Sequence, residues 1–160
     1  MIKFIIGYVW TQIQTTIHKI WIIWYTLKFC FKLLSFAIIH DLSKYSWVEA
    51  KGFASTIFDL KRSTYGTEEY KRLLQKIDPS IQNHYKKNAH HPEFYNNIKE
   101  MPLIHKIEMI IDWKSATRRH KNGDLKKSIE INNKRFNLSK NDLETLTQIA
   151  LIIDKKSFQN

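Results

Sequence analysis

Apolar residues recur at three- and four-residue steps from Ile2 to about Leu34, through Ile6, Val9, Ile13, Ile17, Ile20 and Trp24, and this spacing predicts a helix. A second helix is expected over residues 35–47 and a third over 48–60. Gly66 then marks a turn within Ser63-Thr64-Tyr65-Gly66. Residues 67–76 read as a short helix with Glu68 and Glu69 in its first turn, where the backbone dipole favours acidic groups. Pro79 opens another, running to about residue 89. Met101-Pro102 opens the next, with Ile104, Ile107, Ile110 and Ile111 spaced for core packing. Ser139 with Asp142 reads as a cap that starts a last helix through Ile153. Strand-like alternation between turn signals is absent, so the fold class is all-α: one domain over residues 1–160, about seven helices on a single core.

The apolar stretch 20–39 raises the question of a membrane. Lys28 and Lys32 interrupt it and lie four residues apart on one helical face, so an amphipathic or buried helix is expected, with no transmembrane segment. No small-residue cleavage site follows, which argues against a signal peptide. Cys30, the only cysteine, sits between Phe29 and Phe31 and is expected to be buried and inert. A lone thiol fits a reducing, intracellular (cytoplasmic) setting. The net charge of +11 would draw anions, whether nucleotides, nucleic acid or acidic lipid, without choosing among them. Lys114, Arg118, Arg119, Lys121, Lys126, Lys127, Lys134 and Arg135, broken by Asn122-Gly123-Asp124, form a basic stretch nearly free of aromatics. A solvated face accounts for it more simply than a nucleic-acid surface.

Candidate chemistry begins at His40-Asp41-Leu42-Ser43-Lys44, directly after the apolar run 29–39. A neutral imidazole beside an ionised carboxylate offers the mixed nitrogen and oxygen donors that a divalent cation accepts. Lys44, four residues after His40, would put a cation beside the site; an exposed lysine suited to a helix C-terminus explains it as well. His84, Asn88 and His91 stand at i, i+4 and i+7, on one face if the helix continues that far. Otherwise His90 and His91 sit at a helix terminus, where both rings can turn to the same site. Glu108 and Asp112 are four apart beside Ile111 and Trp113, where a buried carboxylate needs a cation or a donor. His18, near the edge of the first stripe, reads by itself as a core histidine. No Gly-rich phosphate loop and no nucleophile motif is present.

A histidine, then His-Asp, then further histidines, then an aspartate in a helical chain resembles the HD-domain metal-dependent phosphohydrolases. The closer resemblance is to a family of small HD-like proteins known as DUF5662, and it covers about residues 10–151. It rests on His18, the His40-to-Lys44 string, His84-x-x-x-Asn88-x-His90-His91 and Glu108-Met109-x-x-Asp112-Trp113. The resemblance implies His18, His40, Asp41 and Asp112 as core metal ligands, with Asp41 able to bridge to a second ion. His84 with His90 or His91, or both, would complete the second site. It implies Lys44 as a phosphate-side lysine, Asn88 as a further substrate contact, and a catalytic-block position for Glu108 whose role stays open. His105 has no counterpart and is expected to be non-functional. The Gly-Tyr-Pro signature of HD-GYP proteins does not follow Pro92-Glu93.

The activity so implied is hydrolysis of a nucleotide-like phosphomonoester or phosphodiester by metal-activated water. It would use one or two divalent ions, with Mn²⁺, Fe²⁺, Co²⁺ or Zn²⁺ better matched to the donors than Mg²⁺. Three other classes compete: a non-catalytic HD-like scaffold that binds metal or nucleotide, a di-iron HD-like oxygenase, and a peripheral membrane or nucleic-acid binder built on the aromatic N-terminus and basic stretch.

Overall fold

A computed structural model describes residues 1–64, 66–119 and 123–159. Tyr65 of the expected turn, Lys121 of the basic stretch and Asn122 of its break lie outside the described residues. The described chain is all-α, with seven α-helices and no strand. It divides into two units, Met1–Ile39 and His40–Asn160.

The first unit is a single helix, α1 (Ile2–Ile39). The expected separate helix over 35–47 does not form. Nothing between Leu34 and Ile39 breaks a helix, and the Ser35 hydroxyl donates to the Lys32 carbonyl at 2.7 Å, so the coil runs on. No residue of α1 is buried, and Cys30 is exposed rather than buried. The reason is local: this unit contains no second helix that could cover an apolar face. By length and composition alone α1 is also long and apolar enough to cross a membrane.

The second unit starts with a sharp turn. Asp41 adopts the left-handed conformation (φ 58°, ψ 19°), one of the few positions outside glycine that does so, and Asp tolerates it better than most residues. A 3₁₀ turn, Leu42–Tyr45, leads into α2 (Trp47–Arg62). Next come α3 (Glu68–Lys76), capped by the Thr67 side chain, and α4 (Asp78–Lys87), with Pro79 in its first turn. Two 3₁₀ turns, Pro92–Phe94 and Ile98–Glu100, connect α4 to α5 (Leu103–Thr117). The basic stretch contains a helix absent from the sequence expectation, α6 (Leu125–Phe136), whose Asp124 cap accepts from the Lys127 amide at 2.9 Å. The Ser139 hydroxyl accepts from the Asp142 amide at 3.1 Å and starts α7 (Lys140–Ile153), as expected; a last 3₁₀ turn spans Lys155–Phe158.

The apolar core lies among α5, α6 and α7, where Met109, Ile110, Leu125, Ile129, Leu146 and Ala150 are buried together. The packing of α2 on α4 is closer and more polar. Gly52 is what permits it, because a Cβ there would meet the Ser80 Oγ at 2.0 Å and its Cβ at 2.6 Å. Ser80 is held in place by donating to the Val48 carbonyl at 2.7 Å. Gly52→Ala should therefore cost about 1–3 kcal/mol in chemical denaturation, the range for overpacking a fitted contact. Gly7→Ala on α1, which meets nothing within 4 Å, should instead favour its helix by about 1 kcal/mol.

Candidate metal centre

The turn at Asp41 decides where the His-Asp pair points. His40 and Asp41 lie between α1 and the 3₁₀ turn, His84 lies on α4, His90 and His91 on the segment after it, and Glu108 and Asp112 on α5. The helix expected over residues 35–47 would have carried His40 and Asp41; both lie in a turn instead. Helix α4 ends at Lys87, with Asn88 extended at its C-cap (φ −120°, ψ 105°), so the i, i+4, i+7 face does not continue to His91. The alternative, two rings turned inward past a helix terminus, is the one observed.

Within the second unit these groups converge. Asp41 Oδ1 is 3.3 Å from His84 Nε2 and 3.4 Å from His90 Nε2, and His84 Nε2 is 2.9 Å from His91 Nε2. His40 Nε2 is 3.4 Å from Asp41 Oδ2 and 3.5 Å from Asp112 Oδ1, while Glu108 Oε1 is 3.3 Å from His40 Nδ1 and 3.5 Å from His90 Nδ1. Two donor groups result, one of Asp41, His84, His90 and His91 and one of His40, His90 and Glu108, each with its atoms within 4.8 Å of one another. Asp112 joins through His40. His18 belongs to the first unit, exposed on α1, and its place in a ligand set stays with the resemblance.

Two of these atoms, Asp41 Oδ1 and His90 Nε2, are buried and make no hydrogen bond among the described residues. Ser46 Oγ and Thr56 Oγ1 share that condition, but they lie on α2 or just before it, outside the cluster. A buried polar atom left without a partner costs about 1–3 kcal/mol. Here the two face each other beside two further imidazole nitrogens. Donors that share a tetrahedral ion at about 2.0–2.2 Å stand about 3.4 Å apart, close to the separations found. The donor chemistry, imidazole with carboxylate, and the unpaired atoms both fit a divalent cation.

The electrostatics agree. Burial pushes His84 down, and burial, followed by the neighbouring His90 and His84, pushes His91 down to about 2, so both rings are neutral and have lone pairs to lend. Burial opposes charge on Asp41, but the hydrogen bond from Lys44 together with the charges around it holds the carboxyl below its usual range. Burial likewise opposes charge on Glu108 and is outweighed by His40, His90 and His105, which hold it well below that range. His105, expected to be non-functional, lies 3.3 Å from Glu108 Oε2 through its Nδ1. The Lys44 ammonium pairs with Asp41 Oδ2, on the side away from Oδ1.

His40 carries the largest upward shift. Hydrogen bonding to Asp112, then to Glu108, raises it from 6.5 to about 10 against the effect of burial. A group raised on folding stabilises the folded state fully below its unfolded value and loses that contribution as pH rises through its folded value. The midpoint of thermal unfolding of metal-free protein, kept in chelator, should therefore fall as pH rises from about 7 to about 10. His40→Gln should flatten that dependence.

Sequence reasoning missed Ser43, Glu49 and Asn83. Glu49, in the first turn of α2, is 0 % exposed. It accepts from Asn83 Nδ2 at 2.6 Å, from Ser43 Oγ at 2.9 Å and from His84 Nδ1 at 2.9 Å. Asn88 is committed within the same frame, its amide nitrogen donating to Ser43 Oγ at 2.7 Å and to the His84 carbonyl at 2.8 Å. No periodicity announces a lone glutamate at the start of a helix; its partners appear only once α2 packs on α4.

No curated protein and no solved structure matches the chain. One family profile does, over residues 9–156, a span that holds all the residues of this centre, and the chain belongs to that family, the family of unknown function DUF5662.

Proposed function

We propose that the protein is a metal-dependent phosphohydrolase that cleaves a nucleotide-like phosphomonoester or phosphodiester. The observation that carries this reading is the convergence of unpaired Asp41 Oδ1 and His90 Nε2 with His84 and His91, with a lysine beside them. His84, His90, His91 and Asp41 would hold one divalent ion, and His40, with Glu108 and the nearby Asp112, would hold or orient a second. A bound ion supplies Lewis acidity, making hydroxide available near neutral pH and offsetting charge on phosphoryl oxygens.

The chain's own groups do the rest. Lys44, about one-third exposed, exchanges Asp41 Oδ2 for an anionic phosphoryl oxygen and so fixes the substrate's orientation. Glu108, held as the carboxylate among three imidazoles, keeps His40 and His90 turned toward the centre. The net charge of +11 raises the local concentration of an anionic substrate. The likeness to HD-domain hydrolases in the order of these residues supports the same chemistry.

The test is elemental analysis of protein purified without chelator, followed by a panel of nucleotide and model phosphoesters with Mn²⁺, Co²⁺ or Zn²⁺ added. About one or two equivalents of transition metal and turnover of at least one phosphoester are expected. Bound metal with no turnover across the panel would shift the reading to a metal-binding scaffold; no metal, even after loading, would withdraw both.

A second reading concerns where the protein works. Trp21, Ile22, Ile23, Trp24 and Tyr25 are all exposed in succession on α1, and α1 carries lysines but no acidic residue. This favours association with an anionic lipid surface. Cosedimentation with phosphatidylserine vesicles, weakened by salt and unchanged by His40→Ala, would support it.

A further inference from the structure

We infer that Glu49 is a positioning residue that locks His84 in the tautomer able to bind an ion. The inference rests on the metal reading above and goes beyond it, since Glu49 touches neither of the two donor groups' converging atoms.

The argument is an accounting of protons. Asn88 has two amide hydrogens and three neighbours within reach; the shorter contacts, 2.7 Å to Ser43 Oγ and 2.8 Å to the His84 carbonyl, take both, ahead of His84 Nδ1 at 3.1 Å. Ser43 Oγ, having accepted from Asn88, has one hydrogen of its own, and it donates this to the charged and nearer Glu49 Oε2 at 2.9 Å rather than to His84 Nδ1 at 3.2 Å. Asn83 supplies a hydrogen to Glu49 Oε1 at 2.6 Å. The shortest of the three contacts at His84 Nδ1, 2.9 Å to Glu49 Oε2, joins a ring nitrogen to a carboxylate acceptor, and the hydrogens of Asn88 and Ser43 are already placed, so the hydrogen of the neutral ring sits on Nδ1. The consequence is forced at the other end of the imidazole. Nε2 carries no hydrogen, and its lone pair points to where Asp41 Oδ1 and His91 Nε2 lie 3.3 and 2.9 Å away.

Position in the fold makes this lock stiff. Glu49 is completely buried, and both its oxygens are bound by donors from two directions, Ser43 on the turn and Asn83 and His84 on α4. Phe53 lies edge-on to the His84 ring at 6.0 Å between centroids, which limits rotation from the side. A carboxylate that accepts from the far nitrogen of a ligating imidazole also makes that imidazole a stronger donor. Loss of such a partner typically weakens metal binding about 10- to 100-fold. None of Ser43, Glu49, Asn83 and Asn88 needs to touch substrate for this; together they form a frame with His84 as its working end.

The experiment reads the tautomer directly. Nitrogen-15 shifts of the His84 ring in metal-free wild-type protein should show protonated Nδ1 and bare Nε2. Glu49→Gln, nearly equal in volume, should populate the Nε2–H tautomer and raise the Zn²⁺ dissociation constant about 10- to 100-fold with helix content unchanged. Asn83→Ala, which removes a donor to Glu49 but leaves the His84 contact, should change the Zn²⁺ constant by less than Glu49→Gln does. An Nε2–H tautomer in the wild type overturns the inference without recourse to any variant. So does a Glu49→Gln protein that keeps wild-type shifts and affinity. Wild-type protein that shows the Nδ1–H tautomer yet takes up no Zn²⁺ overturns the metal reading while supporting the role of Glu49 in orienting His84.

Discussion

Asp41→Asn is expected to abolish ion uptake and phosphoester turnover while leaving the fold in place. Asp41 holds a left-handed backbone conformation, which asparagine tolerates about as well as aspartate, so the turn that aims His40 and Leu42–Tyr45 survives. What changes is charge. The carboxylate faces His84 and His90 through Oδ1, and His40 and Lys44 through Oδ2. An amide there lends a weaker oxygen and leaves the Lys44 ammonium without its partner. Since losing a mere supporting partner of a ligand costs about 10- to 100-fold, loss of a carboxylate ligand itself should cost at least about 100-fold in affinity and rate. Elemental content and initial rates, with circular dichroism as the fold control, decide it; full ion content in the variant would remove Asp41 from the centre. Asp41→Ala is a poorer probe, because alanine in this conformation adds about 1–2 kcal/mol of backbone cost to the loss of the ligand.

Leu146→Ala should have the largest effect on stability. Leu146 is completely buried on α7, packed in the core that Met109, Ile110, Leu125 and Ile129 help to form. Truncating a fully buried leucine costs about 2–5 kcal/mol, with the upper part of the range reached where the surroundings cannot collapse. Domains of ordinary size hold only about 5–15 kcal/mol in all, so the variant loses a large share of its stability. Urea denaturation should show a lower midpoint at an unchanged slope, and the thermal midpoint should drop by roughly 5–20 °C. Ion content per folded molecule should not change, because the ligands on α5 are Glu108 and Asp112 whereas its core residues are Met109 and Ile110.

The residues of the centre were largely legible before the fold was. His40-Asp41 and the Glu108–Asp112 pair stand out because imidazoles and carboxylates next to apolar residues are costly to bury without a partner, and His90-His91 because paired imidazoles at a helix end can turn to one site. The element carrying them was not legible in the same way. Periodicity continues smoothly through Ser35, so the helix boundary expected there had no breaker behind it, while the actual break at His40–Asp41 depends on a backbone state that aspartate allows but does not announce. Helix α6 was hidden for another reason: Leu125 and Ile129 have helical spacing, but seven cationic residues from Arg118 to Arg135 drew the reading toward a solvated face. Glu49 was invisible because its meaning lies wholly in long-range contacts, 34 and 35 residues away on α4.

The division of labour inside the second unit has a consequence for how it opens. Its oily interior belongs to α5, α6 and α7, whereas the region of α2 to α4 buries, among the described residues, Glu49, Thr56, Ser63, Ser80 and His84 with Leu73, Ile77 and Ile81 as the apolar ballast. Hydrogen bonds confer less net cohesion than apolar burial, so this region is the loose end of the unit. Ions held by His84 with Asp41 and by His40 with Glu108, in two groups that share His90, would act as a rivet between the two regions, and a chelator would work as a local denaturant, letting the amides of α2 and α4 exchange with solvent while those of α7 stay closed.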